Sequence, residues 1–198
     1  PTNGAALNNL GTICMRGGDF DRSVDLFTRY LSGEPNDPAV LSQRAAAFIE
    51  LARLEDAERD LETVFRVAPD SIIGLKTRAK LNIAREQWAA ARADLETVIP
   101  SEPDDAQTFA SLATIASKLD DNALSVALNK KALALDPSSA NIYCNLGIAL
   151  SEMGDLDGAE TSLRAALDLQ PGHISAIFSL GTGRGLLDGD ILAQAEKL

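Results

Sequence analysis

The sequence predicts an all-α fold, a solenoid of stacked antiparallel helix pairs, on three observations. Pro35, Pro69, Pro103, Pro137 and Pro171 recur every 34 residues without slippage and account for five of the eight prolines. A fixed period of that length marks stacked supersecondary units. Within each period the apolar residues return at helical spacing, and Gly or Ala recurs at fixed places between the large side chains.

The period sets the phase. If units begin at residues 4, 38, 72, 106, 140 and 174, each recurring proline falls at unit position 32, just beyond a helix that it could not continue. The expected organisation is a single array over 1–198, with repeats at about 4–37, 38–71, 72–105, 106–139 and 140–173 and a degenerate or capping repeat over 174–198. In each unit, positions 4, 7, 8 and 11 make one stripe of a first helix, and positions 20, 24 and 27 make one stripe of a second. Gly or Ala at position 8 and Ala at position 20 let the two axes approach closely. No unit buries its stripe alone, so neighbouring units must complete the core.

The fifth unit shows the pattern most fully, with Tyr143, Leu146-Gly147, Leu150, Gly154-Asp155, Ala159, Leu163, Ala166 and Pro171. The first has Leu7, Leu10-Gly11, Cys14, Gly18-Asp19, Ser23, Phe27, Tyr30 and Pro35. The second supplies Leu41, Ala45, Phe48, Ala57, Leu61 and Val64, and the third Leu75, Ala79, Ala91, Leu95 and Val98. On these residues the chain resembles the tetratricopeptide-repeat (TPR) family. The resemblance implies a right-handed superhelical solenoid that binds other polypeptides and carries no chemistry of its own.

Some units depart from the pattern. The fourth places Asn129 at position 24, where the family has a large apolar residue, and its turn, Leu119-Asp120-Asp121-Asn122, lacks the usual glycine, which predicts a weaker core. The sixth begins with Ile177, Leu180 and Gly181 but then carries Arg184 and Lys197 at positions 11 and 24. Arg44 and Arg78 both stand at position 7, normally apolar, and Asp60 and Asp94 both stand at position 23 of the same units. An ion pair joining the two helices of each unit explains that coincidence and takes both arginines off the list of ligand contacts.

A net charge of -11 argues against nucleic acid or an anionic membrane as partner, since phosphate binding draws on clustered Lys and Arg. No apolar run reaches the roughly 18–20 residues of a membrane span. Two cysteines, Cys14 and Cys144, make no disulfide framework and read as free thiols of a reducing, cytoplasmic compartment. The chain opens at Pro1 and stops at Leu198 within a helical pattern, so it reads as a piece of a longer protein.

No catalytic constellation emerges. Gly181-Thr182-Gly183-Arg184-Gly185 imitates a phosphate loop, but it occupies first-helix positions and follows no strand. His173 is the only histidine, a loop residue after Pro171, which excludes multi-histidine metal sites. Trp88 lies in the turn of the third unit and is expected to pack between neighbouring repeats. Asp104-Asp105 and Asp120-Asp121 lie in turns, where Asp favours helix N-caps. No enzyme activity, cofactor or metal is expected.

The resemblance to TPR proteins implies that unit positions 2, 5, 9, 12 and 13 line a concave groove. In the third unit these are Ile73, Lys76, Lys80, Ile83 and Ala84, within a stretch that lacks any acidic residue. A basic spot there would attract an acidic peptide or a carboxylate. Lys76 and Lys80 are similar to half of the carboxylate clamp with which some TPR proteins hold chaperone tails. The other half is missing, for Asn8, Thr12 and Gln43 stand where that clamp has Lys, Asn and Asn. Asn8, Asn141 and Asn145 are candidates to bracket a peptide backbone, because amides both donate and accept.

The expected function is a protein-interaction scaffold with a peptide or partner protein in its groove, and solenoid ends open to stacking on a second copy. The alternative is the interaction arm of a larger enzyme, as in TPR-linked sulfotransferases or glycosyltransferases, with catalysis outside this chain.

Overall fold

A computed structural model describes residues 4–183, which form eleven α-helices and, among the described residues, no strand. The chain divides into two compact units, Pro1–Ser101 and Glu102–Leu198. The first contains α1 (Gly4–Arg16), α2 (Phe20–Leu31), α3 (Pro38–Glu50), α4 (Leu54–Val67), α5 (Ile72–Ala84) and α6 (Trp88–Val98). The second contains α7 (Ala106–Lys118), α8 (Asn122–Leu135), α9 (Ala140–Glu152), α10 (Leu156–Leu169) and α11 (Ile174–Gly183). Odd-numbered helices start at residues 4, 38, 72, 106, 140 and 174, one period apart. Arg184, Gly185 and Lys197 lie outside the described residues.

The first helices α1, α3, α5, α7 and α9 end in the same device. The residue at unit position 15 has positive φ in all five cases: Gly18, Ala52, Glu86, Asp120 and Gly154. The next N–H then reaches back to the carbonyl five residues earlier, as from Asp19 to Cys14 at 2.9 Å, Arg53 to Phe48 at 2.8 Å and Asp121 to Ala116 at 2.9 Å. This is a Schellman closure, which satisfies carbonyls that the helix end would leave unpaired. The fourth turn therefore keeps the left-handed residue although it lacks glycine. Asp19, Asp121 and Asp155 then cap the second helices by accepting from Arg22, Leu124 and Gly158 N–H. Asp37, Ser71 and Asp105 cap first helices in the same way.

Within a pair, small residues set the approach. Gly11 lies under the Phe27 ring, where an added Cβ would come within 2.6 Å, and Ser23 Oγ donates to the Gly11 carbonyl at 3.0 Å. Gly147 lies equally close to Leu163. Between successive pairs of one unit, the first helix sits on the preceding second helix: Val40 of α3 joins the buried cluster of Phe27 and Leu31 of α2. Gly74 of α5 lies against Val64 of α4, while Ala176 and Ile177 of α11 pack with Ala166 and Leu167 of α10. A first helix that follows another pair of its own unit thus carries three stripes, one toward its own partner, one toward the preceding pair and one open.

Two expectations about packing need correction. Leu10, counted with the apolar stripe, is 40% exposed because no helix precedes α1 among the described residues to cover it. Trp88, expected in a turn, is the first residue of α6 and is half-buried. In the fourth repeat Asn129 is fully buried; its amide NH2 donates to Ser125 Oγ at a long 3.5 Å and its Oδ1 has no partner among the described residues. A buried acceptor without a partner costs about 1–3 kcal/mol. This is the physical form of the weak core that the substitution predicts.

Candidate functional groove of the first unit

The arginines at position 7 stand beside the groove rather than in it. Arg44 donates from Nε and Nη2 to both Asp60 oxygens at 2.8 and 2.7 Å, and from Nη1 to Thr28 Oγ1 at 3.0 Å. One side chain therefore ties α3 to α4 and to α2. Arg78 repeats the fork on Asp94 at 3.0 and 2.6 Å, its guanidinium lies 4.1 Å from the centre of the Phe65 ring of α4, and Asn82 adds a third donor to Asp94. Both aspartates are buried. A fork of this geometry satisfies a desolvated carboxylate, and removing the arginine would strand a buried charge at a cost of about 3–5 kcal/mol. Arg85 makes a comparable surface fork to Glu58 of α4, at 3.0 and 2.9 Å, and holds that carboxyl below its ordinary range.

The open stripes of α1, α3 and α5 lie side by side, α3 touching both of the others. Thr12 Oγ1 is 3.0 Å from the Asn8 carbonyl and 3.1 Å from Gln43 Oε1, so α1 and α3 are bridged by a hydroxyl and an amide. Asn8 Oδ1 is buried without a partner among the described residues. Beside this bridge an open cavity of about 450 Å³ is lined by Thr12, Met15, Arg16, Phe20, Gln43 and Glu50. Its apolar walls come from Met15 and Phe20 and its charges from Arg16 and Glu50. On α5, Lys80 is exposed and Lys76 half-buried, beside exposed Ile73.

The signal for this cavity was present in the sequence only as positions 9, 12 and 13. Arg16 and Glu50 both stand at position 13, so the register marked them although neither was singled out, whereas Phe20, the first residue of α2, lies outside that register. Asn141 and Asn145 lie on α9, in the other unit. Asn141 is engaged by His173, whose Nε2 lies 2.9 Å from Asn141 Oδ1 while Nδ1 accepts from Ala176 N–H at 3.3 Å. His173 is therefore the capping residue of α11, not merely a loop residue. Asn145 is half-buried. Cys144, at a nominal groove position, is buried against Leu163, Ala166 and Ile177, and burial pushes its thiol pKa up. Among the described residues no cluster of His, Cys, Asp and Glu could hold a metal ion. None of the described helices is long and apolar enough to cross a membrane.

Residues 6–39 and 128–161 each match a tetratricopeptide-repeat family model. This is a chain of tetratricopeptide repeats. The second match begins within α8 and ends within α10, so it frames the same period in a different phase. Among solved structures, a thermophilic TPR protein of Thermus thermophilus is 22% identical with a TM-score of 0.79, over 92% of this chain and 100% of that one. A MamA fragment from Desulfovibrio magneticus RS-1 is 20% identical with a TM-score of 0.69, over 87% and 98%. YrrB, described as a TPR protein with an unusual peptide-binding site, is 18% identical with a TM-score of 0.63, over 86% and 89%. At such identities the likeness is one of fold.

Proposed function

We propose that this TPR chain is a protein-interaction scaffold that holds an extended peptide along the open stripes of α1, α3 and α5. The observation that carries the reading is the row of polar side chains on three adjacent first helices, Asn8 and Thr12, Gln43, then Lys76 and Lys80, beside the 450 Å³ cavity. A peptide backbone needs alternating donors and acceptors, and amides offer both. The lysines add a preference for an acidic residue or a terminal carboxylate at the α5 end. The peptide-binding site named for YrrB lends the fold a precedent.

A pull-down from native lysate tests this with the chain and its Lys76→Glu/Lys80→Glu variant, both verified as folded by circular dichroism. The expected result is a partner with an acidic segment that the native chain retains and the variant loses. Identical capture by both would refute the assignment to this groove.

A further inference from the structure

The open stripe of the first unit is not uniform, and one gap in it is hollow. Thr12 of α1 and Gln43 of α3 meet across that gap at 3.1 Å. In the next gap, between α3 and α5, Ala46 and Thr77 stand one period later at the same two places and are 8% and 5% exposed. Shorter side chains let α3 and α5 close on each other, whereas a threonine in contact with a glutamine props α1 and α3 apart. The cavity of about 450 Å³ opens beside that prop. Its lining residues all belong to α1, α2 and α3, so it is built within the first unit and faces the groove.

We infer that this cavity is an anchor pocket for one large apolar side chain of a peptide that also carries an acidic residue about five positions away. The inference rests on the peptide groove proposed above and adds the sequence preference of its ligand. A volume within the roughly 300–1,000 Å³ of small-ligand sites admits a leucine, methionine or phenylalanine side chain. Met15 and Phe20 supply apolar walls, and a methionine adapts its shape to what it meets. Arg16 and Glu50 bring one charge of each sign, so the mouth prefers neither a cation nor an anion. Gln43 meets Thr12 through Oε1, which leaves its amide NH2 to donate to the peptide carbonyl beside the anchor. Charge selection falls instead to Lys76 and Lys80 on α5. The spacing follows from helix geometry. From the α1–α3 gap to α5 is about one and a half interaxial spacings of roughly 8–10 Å, and positions 12 and 13 stand about 8 Å further along the helices than positions 5 and 9. The span is about 16 Å, which an extended chain rising about 3.3 Å per residue covers in about five residues.

Peptides on a Gly-Ser background test this, each with one leucine and one Asp-Asp pair, the gap between them varied from about two to about eight residues in either order. Both ends are capped, so that side-chain carboxylates are the only anions. Titrations of the unaltered chain, followed by its amide resonances, should give the tightest binding at a gap of about five, with Thr12, Met15 and Phe20 among the residues that shift. Serine in place of the leucine in that peptide should weaken binding about tenfold, the worth of a partly buried leucine. Phe20→Ser, verified as folded by circular dichroism, should abolish the advantage of leucine over serine. Lys76→Glu/Lys80→Glu should abolish the advantage of the Asp-Asp pair and keep that of leucine. A leucine that adds nothing, or binding indifferent to the gap, would overturn the anchor pocket and leave the acidic-peptide groove standing. Failure of every peptide to bind the unaltered chain would overturn both.

Discussion

At the scale of single residues, the turns carry strain that the helices do not. Position 15 is left-handed in five repeats, but only Gly18 and Gly154 adopt that conformation without steric cost. An L-residue there costs about 1–2 kcal/mol, partly offset because glycine loosens the unfolded chain by about 0.4–1 kcal/mol. Ala52→Gly should therefore stabilise the protein by about 0.5–1 kcal/mol in urea unfolding. Gly18→Ala should destabilise by a similar amount, since no atom lies within 4 Å of the added Cβ and backbone conformation alone decides the outcome. A destabilising Ala52→Gly would mean that the Ala52 methyl makes a contact worth more than its strain. The sequence marked this turn only where glycine stands. Ala52, Glu86 and Asp120 adopt the same φ because the helix closure demands it, a tertiary requirement with no local signature.

Among elements, the close approach of paired helices decides which residues the pattern tolerates. Gly147→Ala would place a methyl 2.6 Å from Leu163 Cγ and 3.1 Å from the Ala159 carbonyl. The backbone oxygen cannot rotate away, so α9 and α10 must separate. Overpacking of this kind costs about 1–3 kcal/mol, against about 1 kcal/mol gained from alanine's helix propensity. A net loss of about 1–2 kcal/mol in chemical denaturation is expected, and a stabilised variant would show that the pair has slack. Helix starts, the small positions and the pairing of Arg44 and Arg78 with Asp60 and Asp94 were all legible, because each rests on a spacing that the period repeats. The groove was legible only in part. Thr12 and Gln43 were placed on it, and Met15, Arg16 and Glu50 fall at groove positions 12 and 13, but the Thr12–Gln43 hydrogen bond and the wall added by Phe20 of α2 depend on the offsets between helices, which periodicity does not encode. The exposure of Leu10 was illegible for a related reason: burial belongs to the neighbour, not to the residue.

For the whole molecule, stability of stacked repeats is a sum of repeat terms and nearest-neighbour terms, so a local defect should be felt most in its own unit. The chain supplies a reporter for each compact unit, Cys14 in the first and Cys144 in the second, both free and buried. A thiol reacts as thiolate and only when reached, so labelling by a disulfide reagent measures opening of the structure around it. Asn129 lies on α8, which packs on α9, the helix that carries Cys144. The second and third repeats hold Leu61 and Leu95 at the place of Asn129, opposite an alanine, as Ala113 stands opposite here. Asn129→Leu thus supplies a side chain that the same geometry already accommodates and removes an acceptor with no partner. A gain of about 1 kcal/mol follows, which should slow Cys144 labelling about fivefold. Cys14 labelling in the same sample should keep its rate, which also controls for reagent and pH. Unchanged or faster labelling of Cys144 would mean that the Asn129 amide is satisfied by water in solution and that leucine overfills the space.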